Sequence, residues 1–363
     1  MPFREYETHG DNVGLGIDLI NTCNLRCKQC FYKDSPQKQK MMSLDQVKHI
    51  IDKASQNGFT EFYILGGEPT LHPQLKEILE LALAQFKVVI LVTNGMKLAN
   101  EKYCKSIALP GLAIATHRMA IKDSAEPLVN YLSGTRTAWD QQEKAWLNIE
   151  KYWQGDINMQ LNLMKPLIQE GHAFNVFVYA RQHGFEPIIE LTKPGPIYSR
   201  GNPLDVTPQE IQILFTKMQQ YDKEYFPEHY VTNQVPPSLN HNCTLVETGL
   251  HISVDGDIIP CVGHFGLTLG NIFSDDFVDI LNSPIRLAMK DFQNWIVGPC
   301  KQCELFQYCR GGCRGEAYWQ TGCPRASDPY CWHHKPETTL EEMTPENCIG
   351  CPLEHNPACN IKI

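Results

Sequence analysis

The stretch Cys23-Asn24-Leu25-Arg26-Cys27-Lys28-Gln29-Cys30 places three cysteines on one short loop with the spacing CxxxCxxC. A cubic [4Fe–4S] cluster has four irons, and four protein thiolates would close it. Three thiolates leave one iron open to another ligand, which is typical of a reaction centre rather than a structural site. A zinc knuckle is the alternative, but it needs a fourth ligand nearby, and His49 is the next candidate along the chain. The spacing therefore favours a catalytic iron–sulfur cluster.

Length and composition limit the class of protein. The 363 residues are 42% hydrophobic and 20% charged, which predicts a globular chain with an ample core. The net charge of −9 argues against a nucleic-acid binder that depends on phosphate attraction. No apolar run approaches the roughly 20 residues of a membrane span, and residues 1–5 lack the apolar stretch of a signal peptide. We therefore expect a cytoplasmic protein without nucleic-acid or membrane partners.

The fifteen cysteines are unevenly distributed along the chain. Three lie at 23–30, Cys104 stands alone, and eleven lie between Cys243 and Cys359. Because cytosolic thiols stay reduced, we expect metal or cluster ligands rather than disulfides, with Cys104 as an apolar filler. Residues 235–242 are rich in Pro and Asn and read as a linker. These features predict a catalytic domain at 1–235, a cysteine-rich domain at 236–335 and a cysteine-containing extension at 336–363.

From residue 14 to about 192, short apolar runs alternate with amphipathic segments. The runs predict strands at 14–20, 61–65, 87–92, 112–116, 157–164 and 186–191. The segments predict helices at 43–57, 73–85, 99–107, 137–153 and 171–183, with a sixth at 208–221. Ser43 and Thr137 are expected N-caps, and Gly58 and Gly184 expected stops. Six strand–helix units predict an α/β fold with a parallel sheet, as a partial barrel or an open sheet, because a closed barrel needs eight.

Two further motifs directly follow predicted strands, as the cysteine loop does. Gly66-Gly67-Glu68-Pro69 follows the second strand and Thr93-Asn94-Gly95 the third. Active sites of barrel-like α/β folds lie on such loops. Together with the CxxxCxxC loop, these motifs resemble those of the radical SAM enzymes, which have a partial (β/α)6 TIM-like barrel. In that family S-adenosylmethionine chelates the open iron, and the reduced cluster splits it to a 5′-deoxyadenosyl radical.

The resemblance implies roles for the residues of both motifs. Gly66, Gly67, Glu68 and Pro69 would hold the methionine amino group of the cofactor, and Thr93 and Asn94 would face its ribose. Many family members carry an aromatic residue just before the third cysteine, where it stacks on adenine. Here that position is Gln29, followed by Phe31 and Tyr32. The adenine contact therefore departs from the family pattern.

The tail carries a second cysteine pattern. Cys243 is followed after twelve residues by Gly256 and after four more by Cys261; CxxCxxxxxCxxxC and a last cysteine come next. The pattern resembles the SPASM domain, which carries two auxiliary [4Fe–4S] clusters, with zinc as the alternative. By position, one cluster would be held by Cys300, Cys303, Cys309 and Cys331, and the other by only Cys243, Cys261 and Cys313. The four remaining thiols are those of Cys323, Cys348, Cys351 and Cys359. They suffice for a further zinc or iron–sulfur site; alternatively, one of them completes the three-thiol cluster.

Several polar residues near these motifs are candidates for catalysis. Relatives that mature sulfatases place an Asp base after the cysteine corresponding to Cys261, where this chain has Val262, so that activity is disfavoured. His264 lies close by and can take a proton near neutral pH. His117 and Arg118 follow the fourth strand, where a cation could face a substrate carboxylate or phosphate. Two further cations of this kind are Arg200 and Arg136.

The resemblance implies an enzyme that cleaves S-adenosylmethionine with an electron from a donor such as flavodoxin or ferredoxin, and then abstracts hydrogen from its substrate. Because SPASM relatives mostly modify peptides, the leading prediction is oxidation or crosslinking of a ribosomally made peptide. Only thirteen residues precede the first predicted strand, so no leader-binding domain is expected. The alternative is radical oxidation or decarboxylation of a small molecule such as an amino sugar or antibiotic precursor. A non-enzymatic multi-cluster electron carrier is a weaker alternative, because carriers close every cluster.

Overall fold

The alternating apolar and amphipathic segments form a sheet covered by helices. The computed structural model describes residues 12–30, 39–232, 234–235, 243–263, 267–335 and 337–344. Within them the strands are β1 (Gly14–Asp18), β2 (Glu61–Leu65), β3 (Val88–Thr93), β4 (Leu112–His117), β5 (Ile157–Leu163), β6 (Glu186–Leu191), β7 (Gly249–Ile252), β8 (Asp257–Ile259) and β9 (Gly270–Asn271). The helices of the first part are α1 (Leu44–Gln56), α2 (Leu75–Gln85), α3 (Glu101–Ile107), α4 (Glu126–Ser133), α5 (Ala138–Tyr152), α6 (Lys165–Gln169), α7 (His172–Gln182) and α8 (Pro208–Tyr225). Those of the tail are α9 (Leu245–Thr248), α10 (Phe277–Leu281), α11 (Pro284–Lys290), α12 (Phe292–Trp295), α13 (Phe306–Cys309), α14 (Arg314–Thr321) and α15 (Leu340–Met343).

Among the described residues, the sheet has nine strands in the order β6-β5-β4-β3-β2-β1-β7-β8-β9. Strands β1 to β6 pair in parallel, each with the next along the chain. Because consecutive parallel strands need crossover connections, each is followed by helical chain on the outside. The sheet stays open, with β6 and β9 at its edges. The predicted α/β partial barrel is confirmed.

The tail adds strands to the same sheet, which the sequence analysis did not predict. Strand β7 pairs in parallel with β1, and β8 and β9 continue the sheet in antiparallel fashion. The side chain of His251 on β7 fits because β1 has glycine opposite it: a Cβ on Gly16 would lie 2.5 Å from the His251 Nδ1. The His251 Nε2 lies 2.9 Å from the Asp18 Oδ1, and both side chains are buried. The boundaries at 235/236 and 335/336 stay predictions.

Local signals explain most element ends. Ser43 caps α1 in a capping box with Gln46, as expected, whereas Thr137 occupies the N-cap position of α5 without capping the helix through its side chain. Strand β1 ends at Asp18, two residues before the predicted end, because Ile20 leaves the sheet to form an isolated bridge with Met41. Within the part of the chain that the structure describes, each helix is too short or too polar to span a bilayer.

Strand β5 shows how the sheet separates its two faces. Met159, Leu161 and Leu163 are fully buried in the main hydrophobic core. Because side chains alternate along a strand, the three amide residues that alternate with them point to the other face: Asn158, Gln160 and Asn162. Cys104 on α3 is also fully buried in the core, so its predicted role as an apolar filler is confirmed.

Candidate active site

The cysteine loop follows β1 and is held in place by the end of α4. The backbone N–H of Arg26 donates to the Ser133 carbonyl (3.1 Å), and that of Lys28 to the Leu132 carbonyl (2.8 Å). Gly134, just past the helix, has a φ of +69°, and a Cβ there would lie 2.3 Å from the Arg26 carbonyl oxygen. Helix α4, which the sequence analysis missed, therefore shapes the loop that carries the three cysteines.

The structure brings the thiols of Cys23, Cys27 and Cys30 close enough for their charges to interact. Burial raises the pKa of Cys27 to about 12, and negative charges on Cys23 and Cys30 raise it further. Burial also raises the pKa of Cys23. Three thiolates whose charges act on one another are stable only beside positive charge, which metal centres supply. This donor set therefore fits a cluster held through three thiolates.

The paired glycines of the second motif pack against the segment that leads into the cysteine loop. A Cβ on Gly66, whose φ is +130°, would lie 2.4 Å from the Ile20 carbonyl oxygen. A Cβ on Gly67 would lie 2.3 Å from the carbonyl oxygen of Thr22. The N–H groups of Gly67 and Glu68 donate to the Ile20 (2.6 Å) and Thr22 (2.8 Å) carbonyls, respectively. Glycine is thus needed for close approach to the chain's own backbone, and contact with the cofactor stays a prediction.

Glu68 connects the loops that follow β2 and β3. Its fully buried carboxylate accepts hydrogen bonds from the Thr70 N–H (3.0 Å) and hydroxyl (2.5 Å), the Thr93 hydroxyl (2.6 Å) and the Asn94 N–H (2.8 Å). Burial raises the pKa of Glu68, and these hydrogen bonds oppose the shift. Pro69 follows as the first residue of a 3₁₀ turn, Pro69–Leu71. The predicted contact of Glu68 with an ammonium group stays a prediction.

The side chain of Asn94 points toward the cysteine loop. Its Nδ2 donates to the Asn24 Oδ1 (2.8 Å) and lies 3.5 Å from the Cys23 Sγ. Gln29, at the family's adenine-stacking position, is buried, and its Oε1 has no partner among the described residues. Phe31 and Tyr32 lie outside the described residues. The three motif loops therefore meet at one edge of the sheet, as the sequence predicts.

His117 and Arg118, both at the end of β4, lie in different environments. His117 pairs in register with Gln160. Burial lowers the pKa of His117 to about 4, although the negative charge of Glu190 on β6 opposes the shift. The Arg118 guanidinium contacts α5 instead: its Nη2 lies 2.6 Å from the Glu143 Oε1. It also lies against two tryptophan rings of that helix, Trp139 and Trp146. The Arg118 Nε and Nη1 are buried and find no hydrogen-bond partner among the described residues.

The other candidates for catalysis are also separated. Arg200 is not available for a substrate anion, because its guanidinium donates to Glu316, Asp205 and the Thr192 carbonyl. Arg136 is exposed. His264 lies outside the described residues.

In the tail, the structure brings together three thiols that were assigned to one site by resemblance. We name Cys243, Cys261 and Cys313 the first auxiliary group. Burial raises the pKa of Cys243 to about 11 and that of Cys313 to about 12, and neighbouring thiolates of the group contribute in each case. Like the cysteine loop, this buried group fits a positively charged metal centre.

Cys300, Cys303, Cys309 and Cys331 form the second auxiliary group. Burial raises the pKa of Cys309 to about 12 and also that of Cys331, and the charge of Cys300 contributes to both shifts. Cys303 lies on the same turn as Cys300, to whose carbonyl its N–H donates (3.1 Å). Cys323 is fully buried and packs with Ala317 and Ala326. Three predicted ligands lie outside the described residues: Cys348, Cys351 and Cys359.

The sequence analysis missed two charged residues between the barrel and the first auxiliary group. Lys193 follows β6, and Glu190 lies near the end of that strand, in register with Asn162. Burial alone would lower the pKa of Lys193, but the charges of Glu190 and of the three thiols of the first auxiliary group raise it. Both residues lie at the carboxyl end of a parallel strand, as His117 does. The rule that active-site residues follow such strand ends would therefore have indicated them too.

Comparisons with known proteins agree with this arrangement. Residues 17–117 match the radical SAM superfamily, and residues 243–304 match the SPASM iron–sulfur cluster-binding domain. The chain is therefore a radical SAM enzyme with a C-terminal SPASM domain, and the electron-carrier alternative is wrong. Iron–sulfur clusters and S-adenosylmethionine are the cofactors that these two domains imply.

Individual relatives are distant. The chain is 24% identical to the antilisterial bacteriocin subtilosin biosynthesis protein AlbA of Bacillus subtilis over 82% of its own length and 66% of AlbA. It is 25% identical to the AdoMet-dependent heme synthase of Methanosarcina barkeri, over 86% of this chain and 94% of the synthase. Among solved structures, Streptococcus suis SuiB bound to its precursor peptide SuiA has a TM-score of 0.66 at 17% identity, covering 89% of this chain and 76% of SuiB. That likeness shows a shared fold.

Proposed function

We propose that this enzyme oxidises or crosslinks a ribosomally made peptide, using hydrogen abstraction at a site between the cysteine loop and the first auxiliary group. Bound at the cysteine loop, a reduced [4Fe–4S] cluster with S-adenosylmethionine supplies a 5′-deoxyadenosyl radical. The electron comes from a donor protein such as flavodoxin or ferredoxin. Two auxiliary [4Fe–4S] clusters, one on each auxiliary group, accompany it.

The observation that carries the peptide assignment is the amide face of β5. The Gln160 Oε1 and the Asn162 Oδ1 are buried and find no hydrogen-bond partner among the described residues. A buried polar atom without a partner costs about 1–3 kcal/mol, so a ligand that supplies N–H donors is favoured there. A peptide backbone presents one such donor at almost every residue. The amide face thus supports a peptide in the barrel.

Residues on the two neighbouring strands extend this polar face. His117 lies opposite Gln160 and Glu190 opposite Asn162, so the polar surface continues across β4, β5 and β6. Lys193 connects it to the first auxiliary group. His117, kept neutral by burial, can offer a ring nitrogen as a hydrogen-bond acceptor, and Glu190 and Lys193 can orient a zwitterionic or amide-bearing substrate. AlbA acts in bacteriocin biosynthesis and SuiB was solved with a precursor peptide, which also supports the proposal.

A small-molecule substrate is the second candidate, and the similarity to AdoMet-dependent heme synthase favours it. One experiment separates the two. The protein is reconstituted and reduced without oxygen, S-adenosylmethionine is added, and 5′-deoxyadenosine is quantified with peptide or small-molecule fractions of the source cell. Stimulation by the peptide fraction alone supports the proposal. Stimulation by the small-molecule fraction alone overturns it in favour of a sugar or antibiotic precursor.

A further inference from the structure

A buried carboxylate lies between the two auxiliary groups. The Oδ2 of Asp328 accepts a hydrogen bond from the Cys313 N–H (2.8 Å), and its Oδ1 accepts one from the Tyr330 N–H (2.8 Å). The Asp328 carbonyl accepts a third from the Cys331 N–H (3.2 Å). Cys313 belongs to the first auxiliary group and Cys331 to the second. One residue, which is fully buried, therefore fixes ligand segments of both groups.

The chain makes room for this carboxylate. Gly312, directly before Cys313, has a φ of +79°, and a Cβ there would lie 2.4 Å from the Asp328 Oδ2. Only glycine allows both that backbone conformation and that approach. The glycine turn at Gly312 therefore allows Asp328 to contact the Cys313 segment.

The Asp328 carboxylate takes these hydrogen bonds from backbone N–H groups and not from a cation. Arg314 is the cation that acts on it, but its guanidinium donates to the backbone carbonyls of Pro324 and Ala326. The carboxylate of Asp328 lies against the backbone of Cys313 in the first group and against that of Tyr330, the residue before Cys331, in the second. A buried charge acts strongly on its neighbours because little water screens it.

We propose that Asp328 is a positioning residue shared by both auxiliary groups, which orients Cys313 and Cys331 together and lowers the reduction potentials of both clusters. An electron added to either cluster is repelled by the carboxylate, so the oxidised state is favoured. Potentials of iron–sulfur clusters depend on nearby charge and hydrogen bonds. The inference rests on the proposed presence of two auxiliary clusters.

The test compares three variants of the full chain with the wild type. Asp328→Asn removes the charge but keeps the shape and one acceptor oxygen. Ser327→Ala removes a neighbouring hydroxyl that accepts from the Cys300 N–H (2.9 Å) and so touches only the second group. Asp279→Asn removes an exposed carboxylate on α10 and serves as the control. Iron and sulfide are counted, and each cluster is titrated by EPR, with signals assigned from the single-ligand variants Cys261→Ala and Cys309→Ala.

In Asp328→Asn, both auxiliary potentials are expected to shift to more positive values, while the cluster of the cysteine loop keeps its potential. Ser327→Ala is expected to shift only the second auxiliary cluster, and Asp279→Asn neither. A fully loaded Asp328→Asn protein in which only one auxiliary potential moves, or none, overturns the role of Asp328.

If Asp328→Asn loads less iron, the identity of the lost clusters tests the proposal. Simultaneous loss of both auxiliary clusters, with the cysteine-loop cluster retained, supports the shared role, and loss of one alone overturns it. Wild-type protein is expected to carry about 12 irons, four for each of three clusters. A count that leaves room for only one auxiliary cluster overturns the two-cluster proposal together with this inference, whereas full loading with unmoved potentials overturns the inference alone.

Discussion

Replacing Arg200 by methionine should weaken the junction between the barrel and the tail. Arg200 lies on the loop after β6, and its Nε and Nη2 donate to the two carboxylate oxygens of Glu316 on α14 (2.8 and 2.6 Å). Its Nη1 donates to the Asp205 Oδ1 (2.7 Å), and its guanidinium lies 3.8 Å from the centre of the Tyr330 ring. The Arg200 and Glu316 side chains are 12% and 2% exposed.

The expected cost follows from the burial of Glu316. Methionine keeps most of the volume of arginine, so the main effect is that a buried carboxylate loses its cation. Removing one partner of a buried ion pair costs about 3–5 kcal/mol, because the remaining charge is left uncompensated. Replacing both partners removes the charge of Glu316, and the other carboxylate that Arg200 contacts, Asp205, keeps hydrogen bonds from the Tyr198 hydroxyl and the Gly201 N–H. The double variant Arg200→Met/Glu316→Gln should therefore lose clearly less stability than the sum of the single variants.

The free energy of unfolding is measured by urea denaturation of equally loaded protein under anaerobic conditions, followed by tryptophan fluorescence. Arg136→Met, at an exposed position, is the matched control and should change stability by no more than about 0.5 kcal/mol. The reasoning is refuted if Arg200→Met costs as little as the control. It is also refuted if the two single effects simply add.

Three further outcomes are expected. Cys27→Ala should abolish 5′-deoxyadenosine formation, because a ligand of the catalytic cluster is lost. Cys104→Ala, in the core of the same domain, should retain it. Activity of Cys27→Ala would contradict the cluster assignment. The folded-state pKa of His117 is about 4, below its ordinary value of about 6.5. Between these pH values only the unfolded chain binds the proton, so stability should fall as pH falls through this window, and His117→Gln should show a smaller fall in a urea series. Gln160→Leu should raise the KM for the peptide about tenfold, which corresponds to roughly 1.4 kcal/mol for one buried hydrogen bond. The exposed Gln182→Leu is the control. An equal KM in the two variants would count against peptide binding at the amide face.

Much of the fold could be predicted because its signals are local. The six barrel strands lie within one or two residues of their predicted ends, and Ser43 caps α1 as expected. Helix α4 was missed because it is only eight residues long, begins without a side-chain cap, and reads as loop sequence. The pairing of β7 with β1 could not be predicted either, since it joins Gly14 to Gly249 and no local pattern encodes such a distant register.

The candidate site divides in the same way. The sequence by itself determined that Cys23, Cys27 and Cys30 share one loop, because their spacing keeps them together in any fold, and it placed that loop at a strand end. Only the tertiary structure decided which charged groups stand beside it. Side chains two positions apart on a strand share a face, but which face meets a helix or the barrel interior depends on packing. Arg118 therefore contacts α5. Asp328 contacts segments of both auxiliary groups, which are separated in sequence, because the fold brings their backbone N–H groups to its carboxylate.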